Sequence, residues 1–202
     1  MVQASRAEPT PSQRVILDAA EAAFAQNGYD GATFSDICRE AGVSRGLPSY
    51  LFGSKEALYR EVVGRAAERL RTEMIEPLRK CVPSASAEQA VAVMVDTYID
   101  YLEANPRIVR LLQWEMLSDP AEQRPFAPSS TLFAEVFALL ESIFAKEGYG
   151  VETARVVLGS IVALCFLPAM IGARIAGLGE FPPAQRKTHV IRLLSGALRG
   201  DA

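Results

Sequence analysis

Apolar residues return along this chain at intervals of three and four, and no run alternates apolar with polar between hairpin turns. A side chain comes back to the same side of an α-helix at that interval, whereas a half-buried strand needs a period of two. The expected fold class is therefore all-α. The first stripe is Ile16, Ala19, Ala20, Ala23 and Phe24, on a helix expected from about Ser12. Asn27-Gly28 ends it, Gly28 being able to take the left-handed conformation just past the last turn, and Tyr29-Asp30-Gly31-Ala32 reads as a linker. Thr33 then has the position of an N-cap, with Asp36 at the spacing of a capping box. A short helix runs from Phe34 to Glu40, Ala41-Gly42-Val43 makes a turn, and Ser44 caps a second short helix that ends near Phe52. Gly53 breaks that helix and Ser54 caps a long one, which Pro77 and Pro83 bring to its end. Further helices are expected at 87–104, 106–118, 130–147, 151–176 and 183–199. They are punctuated by Asn105-Pro106, the loop from Pro120 to Pro128, Gly148-Tyr149-Gly150, and Gly177 to Pro183.

The chain has 202 residues, half of them hydrophobic, which suits a small domain joined to a larger one. We expect the division at 10–56 and 57–202. The net charge of −3 does not by itself mark a nucleic-acid binder. Its distribution says more. Between 39 and 71, Arg39, Arg45, Lys55, Arg60, Arg65, Arg69 and Arg71 face only Glu40, Glu56, Glu61 and Glu68, so a local positive face can exist on an acidic protein. Cys38, Cys81 and Cys165 are far apart and odd in number, which argues against a disulfide framework and for a reducing, cytoplasmic setting. The first residues carry Arg6, Glu8, Arg14 and Asp18, so no apolar signal-peptide core is expected. The 18 uncharged residues from Val156 to Ala173 approach the length of a membrane span. Gly159, Ser160, Pro168 and Gly172 inside the run favour a buried core helix, so no membrane association is expected. An enzyme is disfavoured. His189 is the sole histidine, there is no nucleophile elbow or phosphate-binding loop, and no Cys/His cluster has zinc-ligand spacing. No catalytic residue, metal or cofactor is therefore assigned.

Two short helices joined by a tight turn containing glycine are the pattern of a helix-turn-helix. Ile37 and Val43 are apolar where the helices must pack, and Gly42 sits where the chain reverses. With Ser44 as cap, the first-turn N–H groups of the second helix face outward, toward a groove and its phosphates in a DNA complex. Arg45 is the first side chain of that helix, and arginine is suited to a bidentate contact with guanine in the major groove. Lys55 lies at a helix N-terminus, where a cation gains nothing from the helix dipole, and a phosphate partner would explain it.

The stretch from Arg14 to Val63, about a quarter of the chain, resembles the DNA-binding domain of the tetracycline-repressor (TetR) family of bacterial regulators. The likeness rests on three segments: Phe24 to Tyr29, with Phe-x-x-x-Gly-Tyr; Asp36-Ile37 followed by Ala41-Gly42-Val43-Ser44; and Tyr50 to Leu58, with Tyr-x-Phe-x-Ser-Lys-Glu-x-Leu. The resemblance implies a DNA-facing set of Thr33, Ser44, Arg45, Gly46, Leu47, Ser49, Tyr50 and Lys55. There are departures. Where the family usually has Gly-Thr-Leu-Tyr-Tyr-His-Phe, this chain has Gly46-Leu47-Pro48-Ser49-Tyr50-Leu51-Phe52. Pro48 is tolerable in a first turn. Ser49 replaces a tyrosine that commonly touches phosphate, and Leu47 replaces a threonine and can meet a thymine methyl group.

The resemblance further implies a C-terminal domain that binds an effector and forms a homodimer on a palindromic double-stranded DNA operator. The expected action is repression relieved by a small, mostly apolar effector. Aromatic and apolar stripes supply the pocket candidates Tyr98, Tyr101, Arg110, Trp114, Phe137, Leu164 and Cys165, with Trp114 and Arg110 ranked first because a ring and a cation could flank a polar head. Arg107, Arg110, Trp114 and Leu117 share the helix expected to couple pocket and DNA-binding domain. The last helix offers Val190, Leu193, Leu194 and Ala197 as dimer contacts. A regulator controlled by a protein partner, with no small ligand, would display the same pattern.

Overall fold

The computed structural model describes residues 9–81, 84–117, 128–171 and 182–200, and these residues form helices and no strand. Helix α1 spans Pro11–Gly31, α2 Phe34–Ala41, α3 Leu47–Phe52 and α4 Lys55–Leu70. A π-helical turn, Arg71–Ile75, leads into α5, Glu76–Cys81. Beyond it lie α6 Ala87–Ala104, α7 Pro106–Leu117, α8 Pro128–Lys146, α9 Val151–Ile171 and α10 Pro183–Gly200. Residue 118 of the expected 106–118 helix and residues 172–176 of the expected 151–176 helix lie outside the described residues. So do Pro83, Arg174 and most of the 120–128 and 177–183 loops.

The first turn of α1 is fixed by its sequence. The Thr10 hydroxyl accepts from the Gln13 N–H, and the Gln13 side chain accepts from the Thr10 N–H at 2.9 Å. The predicted stripe of Ile16, Ala19, Ala20, Ala23 and Phe24 is buried. Gly28 interrupts the helix with φ 70° and ψ 177°, a glycine-only region and not the left-handed helical one the sequence suggested. Past this break the chain makes one more helical turn to Gly31, where a linker was expected. Thr33 caps α2 as predicted, and Gly42, at φ 65°, closes it while the Val43 N–H reaches back to the Cys38 carbonyl.

The start of α3 differs from the sequence expectation. Ser44 does not cap it through its side chain; the helix opens three residues later, at Leu47, with Gly46 as its cap. The reason is Pro48. An α-helical bond to the Ser44 carbonyl would have to come from the N–H of residue 48, which proline lacks. That carbonyl instead closes a tighter turn with the Leu47 N–H at 3.1 Å and accepts from the Cys38 thiol. Arg45 therefore projects from this turn, ahead of the helix.

Pro77 does not end the long helix either. The Glu76 N–H reaches back five residues to the Arg71 carbonyl, and this widened turn absorbs the missing N–H and the ring of Pro77. The chain continues helically to Cys81.

Two apolar cores result. Phe24, Ile37, Leu58, Tyr59 and Val62 centre the first, which α1 to α4 build together. Ile99, Leu140, Phe144, Ile161 and Cys165 belong to the second, arranged around α6, which packs against α8, α9 and α10. Helix α4 serves both, since Val63 is in the first core and Ala66 in the second. The packing boundary thus falls inside α4, beyond the 56/57 division read from the sequence.

Candidate functional site

The recognition surface grows from the way α3 is seated. Pro48 is buried, and Leu47, Leu51 and Phe52 pack against the N-terminal core. The opposite side of the same segment leaves Ser44, Arg45, Gly46, Ser49 and Tyr50 exposed, Tyr50 at 84%. A tyrosine so exposed on an otherwise well-packed unit is a contact surface without its partner. Thr33, also exposed, is engaged with Asp36, whose N–H its hydroxyl accepts at 3.2 Å and whose carboxylate it donates to at 2.6 Å. That hydroxyl, followed by the Arg39 guanidinium, holds the Asp36 carboxyl below the usual carboxylate range.

The positive face expected between 39 and 71 contracts sharply. Arg39 pairs with Asp36, Arg60 with Glu56, Arg65 with Asp18, Arg69 with Glu21, and Arg71 with Glu135. Lys55 donates to the carbonyls of Asp30 (3.3 Å) and Ala32 (3.0 Å) and lies 4.6 Å from the centre of the Tyr29 ring. These contacts account for Lys55 without a phosphate: it ties the last turn of α1 to the start of α4. Among the described residues, the Arg45 side chain is the one of the seven with no ion pair or hydrogen bond inside the chain.

A small interior cavity of about 60 Å³ lies between α4, α6, α7, α8 and α9. Of the sequence-based pocket set, Tyr98 and Tyr101 line it, but so do residues absent from that set: Val63, Ala66, Ala67 and Leu70 on α4, and Ile108 and Leu112 on α7. The α4 set recurs at three- and four-residue spacing, a signal present in the sequence but indistinguishable there from the packing face of a continuous helix. Burial raises the hydroxyls of both tyrosines above their ordinary range, so they stay neutral. Tyr101 donates to the Ala66 carbonyl at 3.3 Å. Phe137 borders a second, open space of about 610 Å³ between α8 and α9. Arg110 is exposed and lines neither space, Leu164 packs into the core, and Cys165 is fully buried, its thiol pushed up by burial to about 11.

Trp114, ranked first for the pocket, lies elsewhere. Its indole N–H donates to the Ala25 carbonyl at 3.1 Å, and its ring covers Gly28 so closely that a Cβ there would come within 3.1 Å. Glu115 beside it accepts from the Tyr59 hydroxyl. Leu111 is part of the N-terminal core, while Ile108 and Leu112 face the cavity. A single helix, α7, therefore touches the cavity with one side and holds α1 and α4 with the other. The reason for the misplacement is Gly28, whose missing side chain lets the indole ring lie directly on α1.

Residues 16–62 match the family described as bacterial regulatory proteins, tetR family. The match spans most of α1, α2, α3 and the first half of α4. It is 28% identical over 192 residues to the HTH-type transcriptional repressor Rv1474c of Mycobacterium tuberculosis, covering 93% of this chain and 92% of that one. Among solved structures it resembles a TetR-family transcriptional regulator from Mesorhizobium loti, with TM-score 0.71, 19% identity, and 95% and 98% of the two chains covered. It also resembles the regulator FadR of Bacillus subtilis in complex with stearoyl-CoA, with TM-score 0.69, 18% identity, and 90% and 96% covered. These two likenesses establish the shared all-α fold.

Among the described residues, the chain leaves one apolar face uncovered. On α9, Val156 (66%) and Leu167 (48%) are exposed, with Gly159 and Ala163 between them. Helix α9 has the length and mean hydropathy of a membrane span, 1.8 over Val151–Met170, yet its other side supplies Val157, Ile161 and Cys165 to the core. On α10 the predicted dimer residues divide. Leu193 (60%) and Ala197 face outward, while Val190 (7%) and Leu194 (5%) pack into the protomer's own core. The spacing predicts one face; the structure has two, because α10 is pressed against α6 by Lys187, which pairs with Asp96 and Asp100, and by Arg186, which pairs with Glu103.

Proposed function

We propose that this protein is a TetR-family regulator, a cytoplasmic, homodimeric repressor with no catalytic role, released from a palindromic operator when an apolar, chain-like effector enters its C-terminal domain. Arg45, Gly46, Ser49 and Tyr50 meet the bases and Ser44 the backbone, while Leu47, the thymine-methyl candidate of the sequence, is turned toward the core. The outward residues of α9 and α10 bring two copies together, with Gly159 and Ala163 allowing close approach.

The observation that carries the effector reading is the double role of α7. Ile108 and Leu112 border the cavity, and one turn away Leu111, Trp114 and Glu115 hold α1 and α4. A ligand shifts a protein only by its difference in affinity between two states. The cavity of about 60 Å³ is far smaller than the roughly 300–1,000 Å³ of ordinary ligand sites. An effector must therefore displace its walls, and α4 and α7 are among them. Moving them turns each DNA-binding domain relative to its partner. Two recognition segments that no longer match two half-sites lose the advantage of binding together. The FadR neighbour, solved with stearoyl-CoA, supports the choice of a chain-like ligand.

The test monitors operator release and Trp114 emission together while straight-chain fatty acids of increasing length are titrated into the full-length protein. Both signals should change at the same concentration. Binding that alters emission and leaves the operator bound would overturn the coupling.

A further inference from the structure

Among the described residues, the interior cavity and the open groove between α8 and α9 share three lining side chains, Phe133, Leu158 and Val162. Phe133 is 39% exposed, so one side of its ring faces solvent. The two spaces differ in chemistry. The described residues lining the cavity include no charged group, and its two tyrosines are held neutral. The groove adds Phe137, Phe166 and Met170, and, among the described residues, a single charge: Arg155.

Arg155 is placed to receive an anion. Its guanidinium lies 5.7 Å from the centre of the Phe137 ring, which holds the side chain over the groove. It donates to Glu152 at 2.6 Å, one turn earlier on an exposed surface, where such a pair contributes little and exchanges readily. A guanidinium has five N–H donors, so one bond to Glu152 leaves others for a second acceptor.

Resting on the effector reading above, we infer that the ligand is a singly charged amphiphile, a fatty-acid carboxylate. Its hydrocarbon tail passes Phe133 into the interior while its carboxylate stays in the groove on Arg155. The polarity of entry comes from desolvation: a carboxylate carried into the charge-free cavity would lose water without gaining a partner, whereas the groove keeps it hydrated and paired. The choice of a free acid comes from the count of charges. Once it exchanges Glu152 for the ligand, Arg155 balances one carboxylate, while the several phosphate charges of an acyl-CoA would need more cations than the described residues of the groove present. Gly159, Ala163 and Leu167 form the groove's other edge and also belong to the proposed dimer face, which sets the ligand's head beside the partner subunit.

The experiment measures binding of decanoate, 1-decanol and decanoyl-CoA to the full-length protein by calorimetry, for the wild type and for Arg155→Gln. Arg155 is more than half exposed, so the variant should fold normally. Decanoate should bind the wild type at least as tightly as decanoyl-CoA. The variant should weaken decanoate about tenfold and leave decanol unchanged. Equal loss for decanoate and decanol, or no loss for either, overturns the role of Arg155 and leaves the apolar effector site standing. Tighter binding of decanoyl-CoA overturns the choice of a free acid. Failure of all three probes on the wild type overturns the effector reading, and this inference with it.

Discussion

Arg45 and Lys55 carry the same charge on either side of α3, yet their surroundings give them different work. The Arg45 side chain projects from the turn before α3 with no partner among the described residues. Lys55 folds back across more than twenty residues to the carbonyls of Asp30 and Ala32. Arg45→Ala should cost about 1–3 kcal/mol of operator affinity and relax preference at one base position, as read by binding isotherms on a panel of operator variants. Lys55→Met should act on the fold. Loss of a partly exposed, charge-assisted pair of bonds is worth about 1 kcal/mol, or about 2–4 °C in melting temperature, while the salt dependence of operator binding stays as in the wild type. A salt slope reduced by about one with an unchanged melting temperature would return Lys55 to a phosphate. The sequence can single out both cations because motif spacing places them. It cannot separate them, because the groups that satisfy Lys55 are backbone carbonyls, and these leave no mark in residue types.

At the scale of elements, legibility tracks how local the determining force is. Caps at Thr10, Thr33, Ser54 and Ser86 each depend on a bond to a residue three positions on, and helices begin there. A proline states only which bond is missing. Pro48 sits in a first turn, as its sequence position suggests, but the start of α3 moves from Ser44 to Leu47; Pro77, expected to end the long helix, is instead absorbed by a π turn. The contact of α7 with α1 is invisible in the sequence for a stronger reason: Trp114 and Gly28 are distant along the chain, and glycine has no side chain to signal a partner. Gly28→Ala tests that contact. At φ 70° an alanine is strained by about 1–3 kcal/mol, and its Cβ would press on the indole. We expect a loss of stability of that order and a red-shifted emission from the sole tryptophan as the ring is lifted toward water. Unchanged emission would mean that Trp114 does not rest on Gly28 in solution.

For the whole molecule, the decisive question is which side of α10 meets the partner. Leu193 and Leu194 are adjacent in sequence and opposite in surroundings, one 60% exposed and the other 5%. Helical geometry turns neighbouring residues by about a quarter of a circle, enough to send one into the core and its neighbour outward. Leu193, Ala197, Val156 and Leu167 form an uncovered apolar surface, and a two-fold dimer closes such a surface on its own copy without leaving a free edge. An aspartate at each position gives a different outcome. Leu193→Asp puts a charge into the seam but leaves the protomer's core intact. It should give a folded monomer by light scattering, with the circular dichroism of the wild type and a steep loss of operator affinity, since each half-site is then bound alone. Leu194→Asp buries the charge against α6 and α9. It should cost several kcal/mol, about what a large core truncation costs or more, and the helical signal itself should fall. If Leu193→Asp remains a dimer that holds its operator, the two copies meet on another face, and the apolar stripe of α9 and α10 needs a different partner.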